Sequence, residues 1–169
     1  MLLLNSNMTK QTSIIFFLLC FACDTLLAQD GRSLYAQLIG NWEVTSTQVE
    51  KEKTALNSNE KKIWLNIQKK SKFLNKLIQE KEQRMVLEFD VNGTYKFVIF
   101  EKGQATYEET GSFYLAGTEI KCQNDQGEKS SYDNHIIISI TENTFVAKHY
   151  LALLQNKAFE TFSHVRLNY

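Results

Sequence analysis

The chain has 169 residues, 43% of them hydrophobic and 12% aromatic, and its 19 Lys+Arg balance 19 Asp+Glu. That is the length of one domain with a sizeable core, and the composition excludes a disordered chain. Neutrality persists when residues 1–28 are set aside, because Lys10 and Asp24 are their only charges; without a basic excess, no nucleic-acid partner is expected.

Residues 1–28 read as a signal peptide. Lys10 supplies a positive start, and Ser13 to Cys23 is an apolar run of eleven residues, well short of the ~20 that a bilayer span needs. Ala28 offers a small residue for cleavage. The expectation is therefore an exported protein, periplasmic or secreted, whose mature domain spans residues 29–169. Cys23, preceded by Ala22, leaves lipoprotein processing and membrane anchoring as the alternative. The mature chain then keeps only Cys122, so no disulfide holds the fold. Alternation within its strand makes that thiol a buried, inert one.

After a short helical turn stopped by Gly40, Asn41 to Thr47 alternates apolar and polar residues and predicts a first strand. From Met85 the alternation is sustained. Met85–Phe89 and Thr94–Glu101 flank Asn92-Gly93, a pair that tolerates positive φ and marks a hairpin. Gly111–Leu115 and Thr118–Cys122 form a second hairpin, His135–Thr141 and Asn143–Tyr150 a third, and Ala158–Leu167 the last strand. Eight strands joined by short antiparallel turns predict an all-β, up-and-down barrel that closes on itself and leaves no edge.

The exception is the insert over residues 51–83. On a helical wheel from Asn59 to Glu82, Ile63, Ile67, Leu74, Leu77 and Ile78 share a wedge of roughly 100°. Trp64 and Phe73 flank it, and Leu65 points elsewhere. Lys61, Lys62, Lys69, Lys72 and Lys76 lie opposite. This is an amphipathic helix capped by Asn57, Ser58 or Asn59. Its basic face, or lipidation, is the only expected route to membrane contact.

These residues resemble the lipocalin-like domains exported by Bacteroidota-type bacteria. The resemblance is carried by Gly40-Asn41-Trp42 at the start of the first strand, by Asn92-Gly93-Thr94-Tyr95, by Gly111-Ser112-Phe113-Tyr114 with Gly117, and by Arg166 near the end. It covers Leu34 to Leu167 except the insert, which is longer than the family's usual loop. It implies that Arg166 stacks over Trp42 at the closed end of the barrel. A guanidinium over an indole contributes about 0.5–2 kcal/mol, a structural role for both residues.

Because the first strand starts at the closed end, the insert and the loop after the seventh strand fall at the mouth. Trp64, Ile67, Leu74 and Leu77 with Leu153 are predicted to roof a cavity lined by Phe97, Ile99, Phe113 and Phe145, holding a small hydrophobic molecule. Pairing the third hairpin across Glu142-Asn143 sets His149 opposite Ile136, on an inward face with Ile138, Ile140, Phe145 and Ala147. His149 is then a buried polar group near the mouth, either satisfied by a nearby backbone group or Tyr or in contact with the ligand's polar tip, and His135 faces outward. The alternative is a packed barrel that uses the helix and apolar mouth loop as a protein-docking surface. Scattered histidines without cysteine or paired carboxylates predict no metal and no cofactor. Glu101, Glu108 and Glu109 read as solvated rim charges. With no nucleophile–base–acid constellation, no enzyme is expected, and the protein is expected to be a monomer.

Overall fold

The computed structural model describes residues 34–168, so the predicted signal peptide, Cys23 and the cut after Ala28 lie outside the described residues. Ala36–Tyr169 is one compact unit. Its described elements are β1 (Gly40–Lys51), α1 (Ser58–Gln79), β2 (Gln83–Phe89), β3 (Thr94–Glu101), β4 (Gln104–Ala116), β5 (Glu119–Asn124), β6 (His135–Ile140), β7 (Thr144–Tyr150) and β8 (Ala158–Arg166). Each strand pairs antiparallel with the next, and β8 returns to β1. The predicted eight-stranded up-and-down barrel, with one helix between its first two strands, is the observed fold.

Alternation sets the interior. Tyr95, Phe97 and Ile99 of β3 lie opposite Phe89, Leu87 and Met85 of β2, and all but Ile99 are buried. Side chains of consecutive residues point to opposite faces of a strand, so these form one inward row per strand.

At the closed end, Trp42 and Leu38 are fully buried, and the indole Nε1–H donates to the Leu38 carbonyl at 2.7 Å. Arg166 stacks its guanidinium 4.1 Å from the Trp42 ring centroid. It also donates from Nη1 to Ile39 O at 2.7 Å and from Nη2 to Gln37 O at 2.6 Å, with Nε bound to Glu142 O. One side chain thus ties the segment before β1, the β6–β7 turn and the Trp42 face together. Gly40 makes room for it: its φ is +132°, and a Cβ there would overlap Arg166 Nη1. The Gly-x-Trp spacing therefore has a steric cause.

The mouth is built differently. β1 pairs with β2 only over Gly40–Glu43, whereas it follows β8 from Trp42 to Lys51. The second half of β1 consequently has a bare edge on its β2 side. Helix α1 covers it. Asn75 Oδ1 accepts the Thr47 N–H at 2.7 Å, and its Nδ2 donates to Thr47 O, so one side-chain amide stands in for a strand neighbour. Ser71, the buried centre of the helix face, sits with its hydroxyl 3.3 Å from that of Thr47.

The helix starts at Asn57 with a capping box: Glu60 N–H donates to Asn57 Oδ1 at 2.9 Å, and Asn57 N–H donates to Glu60 Oε2 at 2.8 Å. Lys157 Nζ holds the same carboxylate at 2.6 Å, pinning the first turn to the β7–β8 loop. The predicted stripe does face inward, with Ile63, Trp64, Ile67, Leu74, Leu77 and Ile78 half-buried, while Phe73 is 62% exposed. The helix packs chiefly on β1 and less on β2 and the 3-10 turn at 152–154. It braces one side of the mouth.

Lysine cannot reproduce the fork of Arg166. Arg166→Lys is expected to lower unfolding stability in urea by about 2 kcal/mol, because three backbone carbonyls, two of them part-buried, lose charge-assisted donors. An unchanged urea midpoint would contradict this account of the closed end.

Candidate ligand site in the barrel bore

The lower bore is solid with aromatic rings. Trp42 meets Phe145 edge-on at 4.9 Å, and Phe145 stacks on His164 at 3.8 Å. His164 Nδ1 faces the Phe145 carbonyl at 3.2 Å. A carbonyl only accepts, so Nδ1 carries the proton and Nε2 is an acceptor. Tyr132 therefore donates its hydroxyl to His164 Nε2, at 3.0 Å. Tyr132 descends from the β5–β6 loop and lies flat on His135, with ring centroids 3.9 Å apart and planes 3° from parallel. It also contacts Phe89 and Phe97, both at 6.1 Å. Burial pushes its phenol well above the ordinary range.

That loop is anchored by Glu109. Its carboxylate accepts from Tyr95 and Ser130 hydroxyls, from Tyr107 Oη at 2.5 Å and from the Ser131 N–H at 3.1 Å. Burial raises its pKa, but the donors from Ser130, Tyr107 and Tyr95 overcome that and hold it at about 2. The expectation of a solvated rim charge is thus corrected: Glu109 is 7% exposed and joins β4 to the loop that carries the plug.

His135 is corrected as well. The β6–β7 register shifts between Ile137 and Ser139, which pairs Ile136 with Lys148 and Ile137 with Ala147. A one-residue slip reverses every facing before it. His135 and Ile137 therefore point inward, at 3% and 6% exposure, and Ile138 is 54% exposed. His149 does lie on the inward row, half-buried, with its ring 4.9 Å from that of His135.

Above Tyr132 the bore changes character. The inward residues Ile99, His149, Glu160 and Phe162 are only half-buried. His135 Nδ1 lies 3.0 Å from Tyr132 O and so holds the proton. Its Nε2 is then a bare lone pair, and neither it nor His149 Nδ1 finds a partner among the described residues. Glu160 stands opposite His149. Burial raises its pKa, with a Thr47 hydrogen bond opposing, and no described cation pairs with it. At the rim, a cleft of about 550 Å³ opens between the end of α1 and β2–β4, lined by Leu77, Glu82, Gln83, Glu101, Lys102, Gln104 and Thr106. The β2–β3 register places Met85 and Ile99 one inward layer below the Gln83–Glu101 pair.

The predicted lining residues separate into groups. Trp64, Ile67, Leu74 and Leu77 lie on the barrel-facing side of α1, and Leu77 borders the cleft. Ile99 and His149 belong to the upper layer. Phe97, Phe113 and Phe145, at 8%, 5% and 0% exposure, are packed into the lower bore. Leu153 is 75% exposed and roofs nothing; its neighbour Leu154 is the one buried. Tyr132, His135, Glu160 and Phe162 went unpredicted. Only Tyr132 carried a signal, as the sole apolar side chain between Gln123 and Asn134. Cys122 is buried, and desolvation pushes its thiol far up, with Asp133 and Glu109 adding to it. Among the described residues, no group of His, Cys, Asp or Glu is arranged to hold a metal ion. No protein-family model and no curated protein matches the chain.

The two packed imidazoles predict an acid limit. Burial lowers the pKa of His135 and of His164 to about 3, from 6.5. The unfolded chain therefore binds protons that the folded one refuses, and stability is lost as pH falls from 6.5 toward 3. At pH 5 each histidine costs about 2 kcal/mol relative to neutral pH. Glu109 adds a further loss below pH 4.5. Urea midpoints measured from pH 8 to 4 should fall along this course, and NMR signals assigned to His135 or His164 that titrate near 6.5 would contradict the packed arrangement.

Proposed function

We propose that the chain is an exported, non-enzymatic, lipocalin-like binding protein that holds one small hydrophobic molecule in the upper half of its barrel. The observation that carries this reading is the contrast along the bore. Below Tyr132 the inward side chains are sealed, whereas Ile99, His149, Glu160 and Phe162 retain exposure, and at the rim a cleft of about 550 Å³ opens beside Leu77 and the ends of β2–β4. A cleft of this size suits one small ligand.

The polar groups of that layer set the ligand's chemistry. His135 Nε2 is a lone pair and Glu160 a half-buried carboxyl with no described cation beside it; both favour a hydrogen-bond donor. An apolar body with a hydroxyl or amine fits, whereas a carboxylate tip would meet acceptors and like charge. The non-enzymatic reading rests on the same groups: the Cys122 thiol is held protonated, and His164 and His135 use their Nδ1 protons to pin the fold. Export rests on the pattern of residues 1–28.

Calorimetry with dodecanol and dodecanoate tests the reading at neutral pH. Dodecanol should bind at least tenfold more tightly, and Ile99→Trp, which fills the upper layer, should weaken it about tenfold. Tighter dodecanoate binding would overturn the donor rule. Absence of dodecanol binding, or binding indifferent to Ile99→Trp, would overturn the site.

A further inference from the structure

The outward face of α1 has a composition that the barrel does not explain. At about 100° per residue, Lys62, Leu65, Lys69, Phe73 and Lys76 form one ridge on the side away from the buried Ser71. Lys61 and Lys72 flank that ridge. Leu65 and Phe73 are 56% and 62% exposed. The helix has one acidic residue, Glu60, and it is buried beneath Lys157. Glu80, just past the end, makes a 3.8 Å contact with Lys76; the remaining lysines of the ridge are exposed. A neutral protein with 19 Lys+Arg has thus placed five of them along one helix side around two large apolar side chains.

We infer that this face docks on an anionic lipid surface. Lysines alone would suit any polyanion, but Leu65 and Phe73, spaced about 12 Å apart along the axis, call for an apolar layer beside the negative charges. The boundary between headgroups and acyl chains supplies both. Leu65 and Phe73 enter that boundary, and Lys62, Lys69 and Lys72 lie at headgroup phosphates. No described helix is long and apolar enough to cross a membrane, so this contact lies along the surface. It does not depend on what the bore holds.

A Phe73→Trp variant of the full chain, read as the difference from the parent protein, reports on the face itself, so attachment through residues 13–23 leaves it silent. With phosphatidylcholine vesicles containing phosphatidylglycerol, its fluorescence should shift to the blue and be quenched by brominated lipid. Vesicles of phosphatidylcholine alone should produce neither effect. Raising salt from about 0.1 M to about 1 M, which shortens the screening length from about 10 to about 3 Å, should release it. Replacing Lys62, Lys69 and Lys72 with Gln should weaken partitioning roughly a hundredfold. An introduced indole that stays silent with anionic vesicles, an equal response to neutral ones, or capture of an oligonucleotide or a protein in their place would overturn the inference.

Discussion

β1 runs beside β2 for only four residues, Gly40 to Glu43, and then leaves it while staying paired with β8 to Lys51. Every other feature of the mouth depends on that parting. It exposes the backbone of Thr47, which in an ordinary barrel would be paired, and a buried unpaired amide is costly. The chain answers with an insert whose Asn75 satisfies both polar groups of Thr47. The helix is therefore part of the sheet's hydrogen bonding as well as a covering for it. Because the clasp is polar and centred on Ser71, Asn75 and Thr47, it holds the helix to one side of the mouth. The cleft opens between the end of that helix, at Leu77, and β2–β4.

Two loops consequently share the mouth unequally. The helix seals the parted β1–β2 edge, and the β5–β6 loop fills the bore by lowering Tyr132 onto His135 and His164. Glu109 fastens that second loop through the Ser130 hydroxyl and the Ser131 N–H, while Tyr95 and Tyr107 hold the same carboxylate from β3 and β4. The ring stack below gives a rigid floor, and the two imidazoles in it keep their protons in fixed places. His135 therefore presents a lone pair at Nε2, the acceptor on which the proposed donor-tipped ligand rests. If the basic ridge of α1 rests on lipid, the mouth opens close to the phase in which such an amphiphile dissolves.

The barrel was legible because its signals are local. Asn92-Gly93 marks a hairpin, β3 opens with Thr-Tyr-Lys-Phe, whose alternation puts Tyr95 and Phe97 on one face, and the wheel of α1 has one buried side that begins at a capping box. The closed end could be read from Gly40, Trp42 and Arg166, and the structure adds the reason, a guanidinium passing where a Cβ would stand. The site was legible only in part. His135 to Ile140 reads His-Ile-Ile-Ile-Ser-Ile, whose alternation favours Ile136, Ile138 and Ile140 as the inward face, and the bulge after Ile137 reverses that facing for His135 and Ile137. Glu109 has Glu108 beside it, and its inward facing becomes evident only with Ser130 and Tyr95, which lie far along the chain. Tyr132 acts wholly through non-local contacts.

The central claim is that the upper bore is a container for one lipophile with a donor tip. Native mass spectrometry of the protein purified from its own host addresses that claim most directly. The account predicts a second species, heavier by the mass of a single neutral or amine-bearing amphiphile, that reverts to the bare chain on gentle activation. A single bare mass from freshly prepared material, before any detergent or organic solvent has touched it, would contradict the account and leave the barrel a packed scaffold.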